Sequence, residues 1–230
     1  MIVWNNLTSD EILELDRNLP VIIPIGLIES HGPHMTVSFD NDSADYFSRK
    51  ISEKANVILA PLISYGFADA NREYPGTIGI TPRTLTLLIR DICEMFCYHG
   101  FEKIIILSGH GANKMPCELA FYEVWEKYKG FKPVYWNWWE AAGIQGIHHA
   151  DKGETEVALA IGAMVHMSRV KDFSVAKTWH KERSRYETMP DSGGINGEPS
   201  KANLNNGCKI RDAVIEILSD KLIKIKEDVK

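Results

Sequence analysis

Apolar residues fall along this chain in two rhythms, short unbroken runs and longer stripes at helical spacing. Val21–Ile25, Val57–Leu62, Lys103–Leu107 and Pro133–Trp138 are short and rich in β-branched or aromatic residues, as expected of strands buried on both faces. Between them come helical patterns. Thr8–Leu15 opens on a capping-box pairing of Thr8 with Glu11 and carries Ile12 and Leu15 on one side. Ala44, Phe47 and Ile51 mark a helix over Ser43–Lys54. The clearest stripe is Leu85, Leu88, Ile89, Ile92 and Phe96, started by Thr81 and Pro82 and stopped by Gly100. Further helices are predicted over Met115–Tyr128, Glu154–His166 and Ile210–Lys226. Strands alternating with helices predict an α/β fold with a mostly parallel central sheet covered on both sides. No repeat or linker divides residues 1–230, so one domain is expected.

Two stretches break the alternation. Ser64–Thr81 is rich in Gly, Pro and polar residues and is long for a connection, a property of functional loops. Residues 171–204 read as irregular.

Composition narrows the function classes. The chain has 26 basic and 31 acidic residues, a net charge of −5, and no basic run. That supplies no general electrostatic reason to bind nucleic acid or an anionic membrane. No apolar run approaches a membrane span, and the start lacks the pattern of a signal peptide. Cys93, Cys97, Cys117 and Cys208 form no C-x-x-C pair, and a reducing cytoplasm is the expected location.

The candidate chemistry gathers after the apolar runs. Glu29, His31, His34 and Asp40 follow the first strand closely, and two residues apart on extended backbone Glu29 and His31 point the same way. His110 follows the strand at Lys103–Leu107, and His148, His149 and Glu154 follow the strand at Pro133–Trp138. Parallel strands would bring all three loops to one edge of the sheet, where open α/β sheets bind ligands. Alone, the first loop could equally be a polar turn whose histidines bond to backbone. Together, carboxylates and imidazoles without thiolate suit Zn, Mn or Fe(II). Two such ions about 3.5–4 Å apart would acidify a shared water and polarise a carbonyl. That favours hydrolysis of an unactivated amide-like bond. A serine nucleophile is not indicated, because G-x-S-x-G is absent.

These segments resemble a known family. Glu29-x-His-Gly-Pro-His34 with Asp40, the turn Gly109-His-Gly-x-Asn113, and His149-Ala-x-x-x-Glu-Thr155 are similar to motifs of the creatininase (creatinine amidohydrolase) family. Tyr74-Pro-Gly-Thr-Ile78 and Gly197-Glu-Pro-Ser-Lys-Ala202 extend the resemblance over most of the chain. It implies a three-layer α/β/α sandwich, a homo-oligomer (commonly a hexamer) and two divalent metal ions, Zn first with Mn or Fe as alternatives. It implies that Glu29, Asp40 and His110 hold one ion, and His31 and Asp40 the other. The family's further ligand, a Glu two residues after the turn His, is here Ala112, and Glu154 is the expected replacement as ligand or acid/base. His149 matches a family proton shuttle. A hydroxide bridging the metals would attack the carbonyl, and His149 would protonate the leaving nitrogen.

Substrate contacts are expected from Trp138 and Trp139 as walls for a planar molecule, from His34, and from Arg72 toward a carboxylate or phosphate. Core packing of a tryptophan, loop bracing by His34 and solvation of Arg72 are the competing readings. His99, His166 and His180 read as structural or surface residues. The loop before Pro75 departs from the family at Ala68, Ala70 and Asn71, which suggests a changed substrate. The expected activity is hydrolysis of a non-peptide C–N bond in a small cyclic amide. A formylaminopyrimidine deformylase, a keto-inositol hydrolase and a peptide-trimming enzyme are alternatives within the family. A metal-containing sensor or structural protein is the alternative outside enzymology.

Overall fold

Alternate residues of the two central strands divide the interior into two cores. In the computed structural model, which describes residues 1–173 and 190–228, β2 is Val21–Ile25 and β4 is Lys103–Ser108. Val21, Ile23, Ile25, Ile104 and Ile106 face one core, with Leu85, Ile89, Phe96, Ala120 and Val124 from α3 (Pro82–Tyr98) and α4 (Lys114–Lys127). Ile22, Ile105 and Leu107 face the other. There they meet α2 (Phe39–Ala55), α6 (Lys152–Ile161) and α7 (Leu204–Glu227) through Phe47, Val157 and Leu218. The period-two alternation thus builds helix, sheet and helix in three layers.

With β1 (Ile2–Val3), β3 (Ile58–Leu59) and β5 (Lys132–Asn137), the sheet runs β1-β3-β2-β4-β5, all parallel. Among the described residues the remaining α-helices are short, α1 (Ser9–Leu13), closed by the expected Thr8–Glu11 capping box, and α5 (Trp138–Ala141). Parallel strands put every strand's carboxyl end on one edge, and the loops after β2, β4 and β5 leave from it.

Several boundaries differ from the sequence expectation, each for a local reason. β3 stops at Leu59 rather than Leu62. The next residue of β2 turned toward β3 is Pro24, which has no N–H to donate. Pro61 and Leu62 loop out, and pairing resumes only at Ile63, whose N–H donates to the Pro24 carbonyl at 2.9 Å. α2 begins at Phe39, before Ser43, so Asp40 lies in its first turn, where the helix dipole favours a carboxylate. α6 ends at Ile161 because Gly162 takes a left-handed φ of 79°. α7 begins at Leu204, capped by the Asn203 side chain, which accepts from the backbone of Asn205 and Asn206. Leu88, expected in the core stripe of α3, is exposed. His180 lies outside the described residues, as does part of the irregular stretch 171–204.

Candidate metal centre

The segment leaving β2 is buried although it is polar. Glu29 and His31 are 0% exposed and Asp40 is 1% exposed. Backbone bonds hold the path, since Glu29 N–H donates to the Val37 carbonyl at 2.9 Å and Ile78 N–H donates to Ile28 at 2.8 Å. His31 Nδ1 lies 3.0 Å from the Glu29 carbonyl oxygen, which can only accept, so Nδ1 carries a hydrogen. The other ring nitrogen, Nε2, is turned to Asp40 Oδ1 at 3.3 Å and Glu154 Oε2 at 3.6 Å.

The loop leaving β4 arrives from the opposite side. His110 Nδ1 is 3.0 Å from Glu29 Oε2 and 3.2 Å from Asp40 Oδ2. Gly109 permits this approach: a Cβ there would stand 2.0 Å from the Asp40 carbonyl oxygen. Its N–H donates to the Ile25 carbonyl at 2.9 Å, tying the turn to the tip of β2. Asp40 therefore stands between two groups, one oxygen toward His31 and the other toward His110. The third loop supplies Glu154 in the first turn of α6, where the Asp151 side chain caps the helix by accepting from Gly153 and Glu154.

The donor set fits divalent cations. Three carboxylates and two imidazoles are packed together out of water, a costly arrangement without compensating positive charge. Among the described residues, Glu29 Oε2, His31 Nε2, Asp40 Oδ2 and His110 Nε2 are buried without a well-directed hydrogen bond. Ligand atoms of His31, Asp40 and Glu154 lie within 4.8 Å of one another. In the ion-free chain, protons carry the missing charge. Burial works against a charged His31, but Asp40, Glu154 and Glu29 raise it to about 10. His110 is likewise raised well above its ordinary value by Glu29 and Asp40 against the effect of burial. Burial would raise Glu29, yet His110, His149 and His31 hold it well below the usual carboxylate range. Burial lifts Glu154 to about 8, with Asp40 and Asp151 adding to the rise against the pull of His31. Cations entering such a site displace those protons.

A cavity of about 410 Å³ opens over the cluster, lined among others by Asp69, His110, Trp139, His148 and His149, with Glu154 in its wall. A larger depression of about 590 Å³ around Tyr46 and Arg49 contains none of these histidines. His149 Nε2 donates to the Ser30 carbonyl at 2.8 Å, and Nδ1 is 3.6 Å from Glu29 Oε2.

Three expected substrate contacts are not brought to this cavity. Trp138 is 0% exposed and packs on Phe47 at 5.2 Å, because the chain turns into α5 immediately after β5. His34 is buried and braces its loop to α6. The Thr155 hydroxyl donates to the Asp151 carbonyl at 2.6 Å and accepts from His34 Nε2 at 3.0 Å. Burial, with His31 nearby, pulls His34 down to about 4, so it stays neutral. Arg72 is exposed, pairs with Glu73 at 3.8 Å and lines a separate depression. Conversely, Asp69 lines the cavity, and Asn71 donates through Nδ2 to Glu29 Oε1 at 2.8 Å. In the sequence Asn71 stands out only as a departure from the family pattern, and for Asp69 the only signal is the length of the loop.

The family model for creatinine amidohydrolase, Creatininase, matches residues 5–222. The chain belongs to the creatininase family. Among relatives, the creatinine amidohydrolase of Pseudomonas putida is 26% identical over 179 residues, 66% of this chain and 68% of that protein. The mycofactocin precursor peptide peptidase of Mycolicibacterium smegmatis is 23% identical over 218 residues, 90% of this chain and 86% of the relative. A crystal structure of creatininase superposes with a TM-score of 0.85 over 97% of each chain at 21% identity, which establishes the creatininase fold. A mutant creatininase of Zn-Zn type has a TM-score of 0.83 at 20% identity over 96% of this chain and 97% of that one. A creatininase described as the Mn form has 0.81 at 21% identity over 97% and 98%.

Proposed function

We propose that this creatininase-family chain is a divalent-metal-dependent amidohydrolase that cleaves a non-peptide C–N bond in a compact substrate. The observation that carries the reading is Asp40, buried between two donor groups with one oxygen toward each. Glu29, Asp40 and His110 would hold one ion, and His31, Asp40 and Glu154 the second. Oxygen and imidazole donors favour Zn, with Mn or Fe as alternatives. When bound, such ions supply an acidified water and a Lewis acid for a carbonyl oxygen.

The chain's own residues do the rest. His149 Nε2–H is fixed on the Ser30 carbonyl, which makes Nδ1, 3.6 Å from Glu29 Oε2, the ring atom that would exchange a proton with the leaving nitrogen. Trp139 forms a flat wall of the cavity, suited to a planar substrate. The cavity of about 410 Å³ is in the range of small-ligand sites, which supports a compact substrate over a long polymer. A second reading, cleavage of a peptide-like bond at a chain end, draws support from the peptidase relative that spans 90% of this chain. A homo-oligomer is supported by the exposed apolar residues Met95, Tyr98, Met115, Leu119 and Tyr122 on α3 and α4. Among the described residues no helix is long and apolar enough to cross a membrane.

The test is metal analysis joined to substrate profiling. Chain stripped with EDTA and reloaded with Zn²⁺ or Mn²⁺ is assayed on creatinine, a formamidopyrimidine, a ketocyclitol and short peptides. Hydrolysis of a compact amide, lost on stripping and restored by metal, is expected. Peptide cleavage alone would move the assignment to the second reading, and full turnover in EDTA would refute both.

A further inference from the structure

We infer that Asp69, carried by the loop between β3 and α3, is a further ligand of the ion placed between Glu29 and His110. This rests on the metal-centre reading above. Ligand atoms of Glu29, Asp69 and His110 all lie within 4.8 Å of one another. Three donors about 2.0–2.2 Å from a common ion stand at most about 3.8 Å from one another, so the exposed Asp69 would have to close by up to about 1 Å. The cavity holds independent signs of a missing partner. Among the described residues, His110 Nε2 and Asn71 Oδ1 find no hydrogen-bond partner, and their residues are only 8% and 3% exposed. Both line the cavity that Asp69 lines.

The loop is anchored on either side of Asp69. Phe67 N–H donates to Asn113 Oδ1 at 2.9 Å, and Asn71 donates to Glu29 at 2.8 Å. Gly66 lies so close to the strand tip that a Cβ would stand 2.4 Å from the Gly26 carbonyl. The loop's other acid, Glu73, is paired with Arg72 instead. Ala112, in the same cavity, offers no donor. Asp69 is itself exposed, so the ion would keep one ligand that can move with its loop.

The test is calorimetric titration of Mn²⁺ into the EDTA-stripped full-length chain, comparing wild type with Asp69→Asn and, as a loop-charge control, Glu73→Gln. The unfolding midpoint in EDTA checks that each variant folds, which the exposure of both positions favours. The expected result is Mn²⁺ binding weakened at least about tenfold by D69N, as even outer partners of a metal are worth. E73Q should stay within twofold of wild type. Unchanged Mn²⁺ affinity in D69N would overturn the role of Asp69 and leave the metal centre standing. Equal weakening in D69N and E73Q would also overturn it, as a general charge effect. A wild-type chain that takes up no ion would overturn the centre and this ligand together.

Discussion

The floor and the rim of the cavity are built in opposite ways. The floor donors Glu29, His31 and Asp40 are fully or almost fully buried, and backbone bonds between strand tips hold them. The rim is carried by the loop around Asp69 and by partly exposed Trp139, where side chains meet solvent. A floor residue cannot change without leaving a buried charge unpaired, whereas a rim residue can change at little cost. On the proposed reading, the chemistry rests mainly on the core, and contact with substrate falls to segments that can vary.

The sharpest way to break this contrast is Asp40→Ala. On the proposed reading it removes the shared ligand, so bound metal and turnover should fall together, turnover by on the order of 10³-fold or more. Metal content by mass spectrometry beside the hydrolysis rate checks it, and a metal-replete active variant would sink the bridging role. Next come the adjacent tryptophans. Trp138→Ala empties a core site and should cost about 3–5 kcal/mol of unfolding free energy. Trp139→Ala should cost about 1 kcal/mol or less and act mainly by raising KM. Urea denaturation with steady-state kinetics separates the two, and equal stability losses would erase the boundary between floor and rim. A smaller stability loss than that of Trp138→Ala belongs to Thr155→Val, which leaves the buried Nε2–H of His34 without its acceptor. A loss of about 1–3 kcal/mol is expected from thermal or urea unfolding. No loss would mean that His34 is not a brace.

Much of the architecture was legible because local signals and burial agree. Ile22 and Ile23 go to opposite cores as strand alternation requires, and Thr8 caps α1 as its spacing from Glu11 predicts. Boundaries failed where one residue overrode a pattern. Met164 continued the apolar spacing of α6 beyond Gly162, whose backbone ends the helix. Polar Asn203-Leu-Asn-Asn206 concealed the start of α7, because side-chain capping leaves no apolar stripe. In the site, Glu29, His31, Asp40, His110 and Glu154 come together from three loops, as parallel strand tips lead one to expect. Trp138 and Trp139 could not be told apart, since their difference depends on where β5 turns into α5. Asp69 and Arg72 look alike as charged residues in one long loop, and only the folded path of that loop separates them.

Pro24 links the regularity of the sheet to the reach of the loop beyond it. Without an N–H at that position, the ladder between β2 and β3 breaks after Ala60 and is rejoined one residue out of step at Ile63. The chain released there leads into the loop that brings Asp69 and Asn71 to the cavity. A single ring closed on a backbone nitrogen, inside a fully buried strand, thus marks where the sheet gives way to the wall of the cavity.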